Sequence, residues 1–414
     1  MSLSDAICGL LYDLARTRNG GNVEIDLNGV PVLLVQNLED ADRILRLNVA
    51  NYRKNMAWFR LVLGMSRFSE EGEAWEIRRA LTHQLLTRFD RERTFAASRD
   101  RGLAAVRQML ASGAPVIDDD ILREMTVSVL LENFFDASLS DTNMDLGNMA
   151  SLMEHGSAYS FVPAGQTGSL HREKLMQIPP LRSKALADLK VFRDGTIPRT
   201  PMLDGMLAAD ATPATGVVLE HELMSLFAAG AETSAAAMSW ACYLLAANPA
   251  VQEALRRSAI AFWQSDAPDW AHLSRLADHG AFISEALRLY PPTPIVGRFA
   301  VAADRLGEHE ITAGQNLLIS FVGIQHDARL RADPWALDIG GGAGGRAAGA
   351  ATSFSMGPRV CGGKHFALVE LVTFLSVFLT EARFELTSDA APSYVWKSVM
   401  LRAGGQPVRA VPLA

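Results

Sequence analysis

The residues with the clearest chemical potential surround one cysteine near the end of the chain. Residues 354–363 are Phe-Ser-Met-Gly-Pro-Arg-Val-Cys-Gly-Gly, which places Arg359 two positions before Cys361. The glycines and proline predict a tight, irregular backbone that can approach a large flat ligand. A neighbouring guanidinium favours the thiolate. The apolar run from Phe366 to Leu379 predicts a helix whose N-terminus would stabilise a sulfur anion further. Such a thiolate suits axial ligation of haem iron.

This stretch resembles the haem-binding loop of the cytochromes P450, the haem-thiolate monooxygenases. Every fixed position of the loop pattern F-x-x-G-x-R-x-C-x-G is filled, by Phe354, Gly357, Arg359, Cys361 and Gly363. The alternative is an inert buried cysteine beside a glycine turn, which the five joint matches disfavour. The resemblance implies that the cysteine is the axial iron ligand of haem b and that the other four residues shape its loop.

A second motif lies in the middle of a long apolar segment. Residues Val218 to Ala247 are apolar on nearly all sides of a helix, which predicts a buried helix that ends at Asn248-Pro249. Its centre is Ala-Gly-Ala-Glu-Thr, residues 229–233. Glycine costs about 1 kcal/mol against alanine in a helix, and a threonine hydroxyl can bond either to the helix or to a ligand. The combination predicts a local opening of the helix.

The same five residues resemble the family motif A/G-G-x-D/E-T. The resemblance implies that Thr233 stabilises bound dioxygen, that Glu232 helps to deliver protons for O–O cleavage, and that Gly230 belongs to the catalytic site. Without the cysteine loop, the acid would be interpreted as a surface residue and the threonine as an ordinary helix residue.

A third motif resembles the E-x-x-R helix of the family. Glu285 and Arg288 are three residues apart, so their side chains meet on one face of the helix predicted over Ala281 to Leu289. The resemblance implies a buried ion pair that braces the haem loop, completed by a third residue, an arginine nearer the loop. The sequence offers candidates at 329, 331 and 346 and assigns none of them.

Further residues are implied by the same resemblance. Trp75 and Arg79 share one face of the helix predicted over Glu73 to Phe89 and match a propionate-binding pair, and Arg298 matches a propionate-binding arginine. Arg78 is expected to face solvent. The side chains expected in the substrate pocket are Phe68, Ala229, Ile295, Val296 and Met400.

The remaining elements must position these groups. Val23 to Val35 alternates around Asn28-Gly29, which predicts a β-hairpin, and Asn37 is expected to cap a helix over Leu38 to Leu45. Helices are predicted over Asp118–Phe135, Met144–Ser160 and 182–194. The pattern breaks between Phe161 and Pro180. There the family carries a mobile lid, which Tyr159, Phe161, Leu175 and Met176 would line; a surface loop is the alternative.

Composition limits the class of protein. The 414 residues are 49% hydrophobic, enough for a sizeable core, and no low-complexity linker divides them. We expect one mainly α domain with small β-sheets over residues 1–414, with β-rich regions at about 20–50 and 293–322. The net charge of −7 argues against nucleic acid as a partner. Three cysteines without metal-binding spacing, and no apolar run of about 20 residues, predict a soluble, cytoplasmic protein. We also expect it to be a monomer.

The expected function follows from the resemblance. It implies O₂-dependent oxidation, usually hydroxylation, of a small apolar or amphipathic molecule in natural-product or xenobiotic metabolism. Electrons would come from NAD(P)H through a separate ferredoxin or flavodoxin with its reductase. A basic docking patch is expected at Arg78, Arg88, Arg91, Arg93 and Lys364. The alternatives are peroxide-driven oxidation, ring coupling or nitration on the same scaffold, and a non-catalytic haem-binding or sensor protein.

Overall fold

The computed structural model describes residues 3–27, 29–54, 56–158, 169–340 and 352–413. Helices form most of this part of the chain. In chain order they are α1 (Leu3–Arg18), α2 (Leu38–Asp42), α3 (Ala57–Leu63), α4 (Gly72–Thr87), α5 (Arg91–Ser112), α6 (Asp119–Phe135), α7 (Leu146–Ser157), α8 (Ser169–Asp188), α9 (Pro201–Asp210), α10 (Leu219–Ala247), α11 (Pro249–Trp263), α12 (Ala277–Leu289), α13 (Phe321–Gln325) and α14 (Lys364–Glu381).

The strands are short and are listed in the same order. They are β1 (Val23–Leu27), β2 (Val30–Val35), β3 (Tyr52–Arg53), β4 (Ile295–Ala300), β5 (Asp304–Leu306), β6 (His309–Ile311), β7 (Asn316–Ser320), β8 (Ala382–Leu386), β9 (Tyr394–Trp396), β10 (Met400–Arg402) and β11 (Val408–Pro412). The main sheet has the order β1-β2-β7-β4-β3, so strands from the two predicted β-rich regions share one sheet. The remaining strands form antiparallel pairs.

The long helix α10 is the centre of the helical layer. It spans 29 residues and ends before Asn248-Pro249, as predicted. Helices α6, α12 and α14 pack against it, and its apolar residues join the largest hydrophobic cluster of the described chain. The helix therefore carries the 229–233 motif through the interior, while α14 leads directly away from the cysteine loop.

The N-terminal elements agree with the predicted patterns. Strands β1 and β2 pair antiparallel with Leu27 opposite Val30, which confirms the hairpin strands, although Asn28 lies outside the described residues. The Asn37 side chain accepts a hydrogen bond from the Asp40 N–H and caps α2. A π-helical turn, Arg43–Leu47, follows without a break.

The region between α7 and α9 differs from the prediction. Helix α8 begins at Ser169 and continues through Pro179 and Pro180, so the predicted break up to Pro180 is wrong. Contacts of α8 with α7, α3 and α10 offset the poor helix propensity of proline. Leu175 packs against the main cluster, whereas Met176 is exposed on the same helix. The other two predicted lid residues, Tyr159 and Phe161, lie outside the described residues.

Candidate active site

The cysteine loop is shaped by one close backbone approach. Gly357 has a φ of +69°, and a Cβ at this position would lie 2.0 Å from the carbonyl oxygen of Leu45 in the π-helical turn. No other residue type fits such a contact. The N–H of Cys361 donates to the Phe354 carbonyl oxygen at 2.9 Å and closes the loop. The loop is thus fixed at both ends before α14 begins.

The Cys361 thiol is exposed, while the other two cysteines are buried. Packing of the loop around the sulfur raises its pKa, and the N–H groups of Gly363 and Lys364 oppose this shift. The cations that lower the pKa of this thiol are Arg67 and Lys364. The cation predicted to favour the thiolate was Arg359. Arg67 was not predicted, because it is far from Cys361 in the sequence and lies in no motif.

Arg359 has different partners from those predicted. Its guanidinium lies 2.9 Å from the Glu71 carboxylate and 3.8 Å from the centre of the Trp75 ring. It also donates to the Glu70 carbonyl oxygen at 3.0 Å. Arg359 therefore connects the cysteine loop to the start of α4 through these contacts.

Cations gather beside the cysteine loop. Burial and the charges of Arg298, Arg359 and Arg67 lower the pKa of Lys54 to about 7. Burial lowers the pKa of Arg298 to about 10, with Glu71 as the opposing acid. We call this group the cation cluster; its members are Lys54, Arg67, Arg79, Arg298 and Arg359. Glu71 is the acid beside Lys54, Arg298 and Arg359, and Glu222 is the acid beside Arg67.

The cation cluster fits the acidic groups of haem. Buried cations are costly without counterions, and two propionates would supply two negative charges here. Of the residues predicted to hold them, Arg298 is buried within the cluster, and Arg79 lies 5.6 Å above the ring of Trp75. Lys54 and Arg67 were missed, because neither lies in a recognisable motif. The donor set, a thiol beside an excess of cations, therefore suits this cofactor.

One face of α10 is open at the predicted catalytic motif. Ala229 is exposed and Gly230 and Thr233 are half-buried, on a helix that is otherwise largely buried. The Thr233 hydroxyl donates to the Ala229 carbonyl oxygen at 2.7 Å. The predicted local opening is absent, because α10 is continuous through the motif. Gly230 instead allows Leu130 of α6 to pack closely against α10, since a Cβ at position 230 would lie 2.7 Å from Leu130 Cδ1.

Glu232 points toward α6. Its Oε1 accepts a hydrogen bond from Arg123 Nε at 2.6 Å, and both side chains are nearly buried. Arg123 also contacts Asp120, and the Thr126 hydroxyl donates to the Ala231 carbonyl oxygen at 3.1 Å. The alternative of a surface acid therefore does not apply, and Arg123 fixes the position of this carboxylate.

A second buried acid lies next to the motif. The hydroxyl of Ser234, one residue after the motif threonine, donates to Glu370 of α14. Burial raises the pKa of this carboxyl group to about 8, and its other oxygen has no partner among the described residues. This contact fixes the helix that follows the cysteine loop against α10.

The Glu285–Arg288 pair is buried and bidentate, with both N–O distances at 2.8 Å. Arg288 also donates to carbonyl oxygens of Gln325 and Ala336. The structure supplies the third member that the sequence left unassigned: Arg331 Nη2 lies 3.1 Å from Glu285 Oε1. Of the other candidates, Arg329 pairs with Asp327, and Arg346 lies outside the described residues.

The residues predicted for the substrate pocket divide into two groups. Phe68 and Ala229 are exposed, and Val296 is half-buried. Ile295 and Met400 instead pack into a second hydrophobic cluster with Trp240, and the Met400 carbonyl oxygen accepts from the Trp240 indole N–H at 3.0 Å. These two are therefore core residues, because both side chains are buried in this cluster.

The predicted basic patch loses one member. Arg78 is 2% exposed, and its Nε lies 3.0 Å from Glu222 Oε1 of α10. The expectation that Arg78 faces solvent is therefore wrong, because its side chain is buried and paired with an acid of α10. Arg88 and Arg91 are exposed, and Lys364 and Arg93 are half-buried. None of the helices described is both long and apolar enough to cross a membrane.

Comparison with known proteins places these features in a wider group. The sequence model of the family described as Cytochrome P450 matches residues 9–406. The chain is 23% identical to "Protein LUTEIN DEFICIENT 5, chloroplastic" of Arabidopsis thaliana, over 92% of this chain and 70% of that protein. It is 30% identical to "Cyclooctatin synthase" of Streptomyces melanosporofaciens over 49% of this chain and 46% of that protein.

A further relative and one solved structure complete the comparison. The chain is 31% identical to "Cytokinin hydroxylase" of Arabidopsis thaliana, over 42% of this chain and 34% of that protein, so this match spans only about a third of the relative. The heme domain of a "cytochrome P450DA" mutant superposes with a TM-score of 0.83 at 18% identity, covering 99% of this chain and 94% of that chain. This likeness concerns the fold alone.

Proposed function

The chain belongs to the cytochrome P450 family, and from this premise we propose that it is a haem-thiolate monooxygenase of small apolar or amphipathic molecules. The observation that carries the proposal is the adjacency of the exposed Cys361 thiol and the cation cluster. Arg67 belongs to both, because it lowers the pKa of the thiol and lies among the cations. A protein that binds haem must hold both its iron and its propionates. A sulfur donor suits the iron, and surplus positive charge suits the propionates.

The residues that would hold the cofactor are Cys361, Trp75, Arg298 and the rest of the cation cluster. Haem, when bound, supplies the activation of O₂ with two electrons and two protons. The protein's own contribution is the open face of α10. Ala229 is exposed there, and the hydroxyl oxygen of Thr233 keeps acceptor capacity while its proton is donated to the Ala229 carbonyl.

The Arg123–Glu232 pair controls where a proton can be taken up. The hydrogen bond from Arg123 keeps the Glu232 carboxylate turned toward α6. A change of partner for Arg123, which also contacts Asp120, would free the carboxylate to carry a proton toward the open face of α10. In this proposal Glu232 supplies protons and Thr233 receives and orients them.

Electrons come from NAD(P)H through a ferredoxin or flavodoxin with its reductase. The docking surface in this proposal comprises Arg88, Arg91, Arg93 and Lys364, and it excludes the buried Arg78. Charge reversal at Arg88 and Arg91 should slow reduction by the partner while leaving reduction by dithionite unchanged. Unchanged partner-driven rates would contradict this surface.

The test of the proposal is the carbon monoxide difference spectrum of the reduced, haem-loaded protein. We expect a red-shifted Soret band in the wild type and in Cys242→Ser, whose cysteine is buried, and loss of the band in Cys361→Ser. Absence of the band in folded wild-type protein would overturn thiolate ligation and favour a haem-binding or sensing role. O₂ uptake coupled to NAD(P)H, compared with turnover on peroxide alone, separates monooxygenation from the peroxide-driven alternative.

A further inference from the structure

Three helices, α8, α3 and α10, meet at Arg182 of α8. Its Nε donates to the Val62 carbonyl oxygen of α3 at 3.1 Å. Its Nη2 donates to His221 Nε2, in the first turn of α10, at 2.8 Å. The guanidinium therefore spans the space between α8, α3 and α10, and its two known acceptors are both uncharged.

Arg182 is a partly buried cation without an acidic partner. No carboxylate of the described residues lies within ion-pair distance of it, and burial lowers its pKa without an opposing acid. The two acids nearest in the first turn of α10 are engaged elsewhere. Glu220 pairs with Arg193 at 2.9 Å, and Glu222 pairs with Arg78 at 3.0 Å. A positive charge in this position is costly unless an anion joins it.

His221 is held in a state that can respond to an anion. Its ring packs against the backbone of Gly64, where a Cβ would lie 2.5 Å from the imidazole, and its Nδ1 has no partner among the described residues. Burial and the charges of Arg182 and Arg78 lower its pKa, and Glu220 raises it. The neutral ring therefore accepts from Arg182. A negative charge beside both groups would favour the protonated ring.

Apolar side chains are exposed on the segments that meet at this point. Leu61 lies in α3, Met65 and Phe68 follow it, and Met176 lies on α8, two turns before Arg182. Exposed apolar groups on two contacting elements indicate a surface for an apolar ligand. The site thus combines an unpaired guanidinium, a neutral imidazole and an apolar rim.

Building on the monooxygenase function proposed above, we propose that Arg182 and His221 bind the carboxylate of an apolar acid, which is the substrate class of this protein. The guanidinium donates two N–H groups to the carboxylate in the planar geometry that arginine favours. His221 takes up one proton from solvent at Nε2 and donates it to the same anion. The apolar body of the acid lies along Leu61, Met65 and Met176.

Isothermal titration of the haem-loaded protein with sodium octanoate and with 1-octanol tests this site. The two probes share a chain length and differ in charge, so the ratio of their affinities reports the carboxylate contact even if a variant changes the apolar surface. We expect the wild type to bind octanoate at least tenfold more tightly than octanol. Arg182→Gln should abolish the preference, and Arg182→Lys should retain part of it because the charge remains.

The matched control is Arg172→Gln, which removes an exposed cation from the same helix and should leave the preference unchanged. Repeating the titration in buffers of different ionisation enthalpy should show proton uptake with octanoate in the wild type and none in His221→Gln. Equal affinities for the two probes, an unchanged preference in Arg182→Gln, or binding without proton uptake would overturn the proposal.

The experiments can refute the monooxygenase function and the carboxylate site independently of each other. A protein that shows the carbon monoxide band without a preference for the acid overturns only the carboxylate site. A protein that prefers the acid without the band overturns the monooxygenase function and leaves the anion site standing.

Discussion

Replacement of Arg331 by glutamine tests the brace that the structure completes. The Arg331 side chain is 12% exposed, and its guanidinium lies 3.1 Å from Glu285 and 3.7 Å from Asp338. A hydrogen bond to a charged group contributes about 1.5–3 kcal/mol. Glu285 keeps its bidentate bonds to Arg288 in the variant. We therefore expect Arg331→Gln to lower the free energy of unfolding by about 2 kcal/mol.

Two further variants calibrate this value. Arg288→Met leaves Glu285 buried with one cation fewer and removes the donors to nearby carbonyl oxygens, so it should cost about 3–5 kcal/mol. Arg305→Gln breaks an ion pair with Glu310 in which both side chains are mostly exposed, and should cost less than about 0.5 kcal/mol.

Urea unfolding of the haem-loaded protein, followed by far-ultraviolet circular dichroism, measures all three variants against the wild type. A cost for Arg331→Gln no larger than that for Arg305→Gln would refute the reasoning. It would mean that the Arg288 guanidinium and the Asp338 N–H provide all the hydrogen bonds and charge that the Glu285 carboxylate needs.

Four other substitutions have defined outcomes. The pKa of Lys54 is about 7 when folded against 10.5 when unfolded, so the folded state binds fewer protons and wild-type stability rises from pH 7 to 10. Lys54→Met should stabilise the haem-free protein most at pH 7, a gain that thermal melts should show vanishing near pH 10. Glu370 has the opposite sign, with a folded pKa of about 8 against 4.5, so wild-type stability falls as pH rises between those values. Urea midpoints at pH 5 and 8 should show that Glu370→Gln removes this decline, and an unchanged slope would contradict the burial of that proton. Gly230→Ala should cost about 1–2 kcal/mol in spite of better helix propensity, because its Cβ meets Leu130 at 2.7 Å. Gly280→Ala, in α12 with open space around its Cβ, should stabilise the protein instead, and a gain at both positions would contradict the packing argument.

Local sequence patterns predicted the elements that carry the chemistry. The cysteine loop, the long apolar helix and the Glu285–Arg288 spacing are each encoded within a few consecutive residues, so their geometry follows from helix periodicity and turn chemistry. The hairpin strands and the end of α10 at Asn248-Pro249 followed for the same reason.

Contacts between distant segments could not be predicted from local sequence patterns. Arg67 reaches the cysteine loop across almost 300 positions, and Arg331 replaces an arginine expected closer to the loop. Arg78 and Arg79 are neighbours with equal charge, yet only the ion pair between Arg78 and Glu222 of α10 shows which one is buried. Met400 was misassigned because a three-residue strand does not indicate which face of its sheet is covered.

Two paired strands of the main sheet are synthesised far apart in time. Strand β2 pairs in parallel with β7, and Asn316 follows its partner Val32 by 284 positions. At a translation rate of about 5–20 residues per second, the ribosome needs roughly 15–60 seconds between these two strands. During that interval the inner edge of the N-terminal hairpin has unpaired N–H and C=O groups, which other nascent chains can join. Yield in a recombinant host should therefore depend on chaperones that cover this edge until β7 leaves the ribosome.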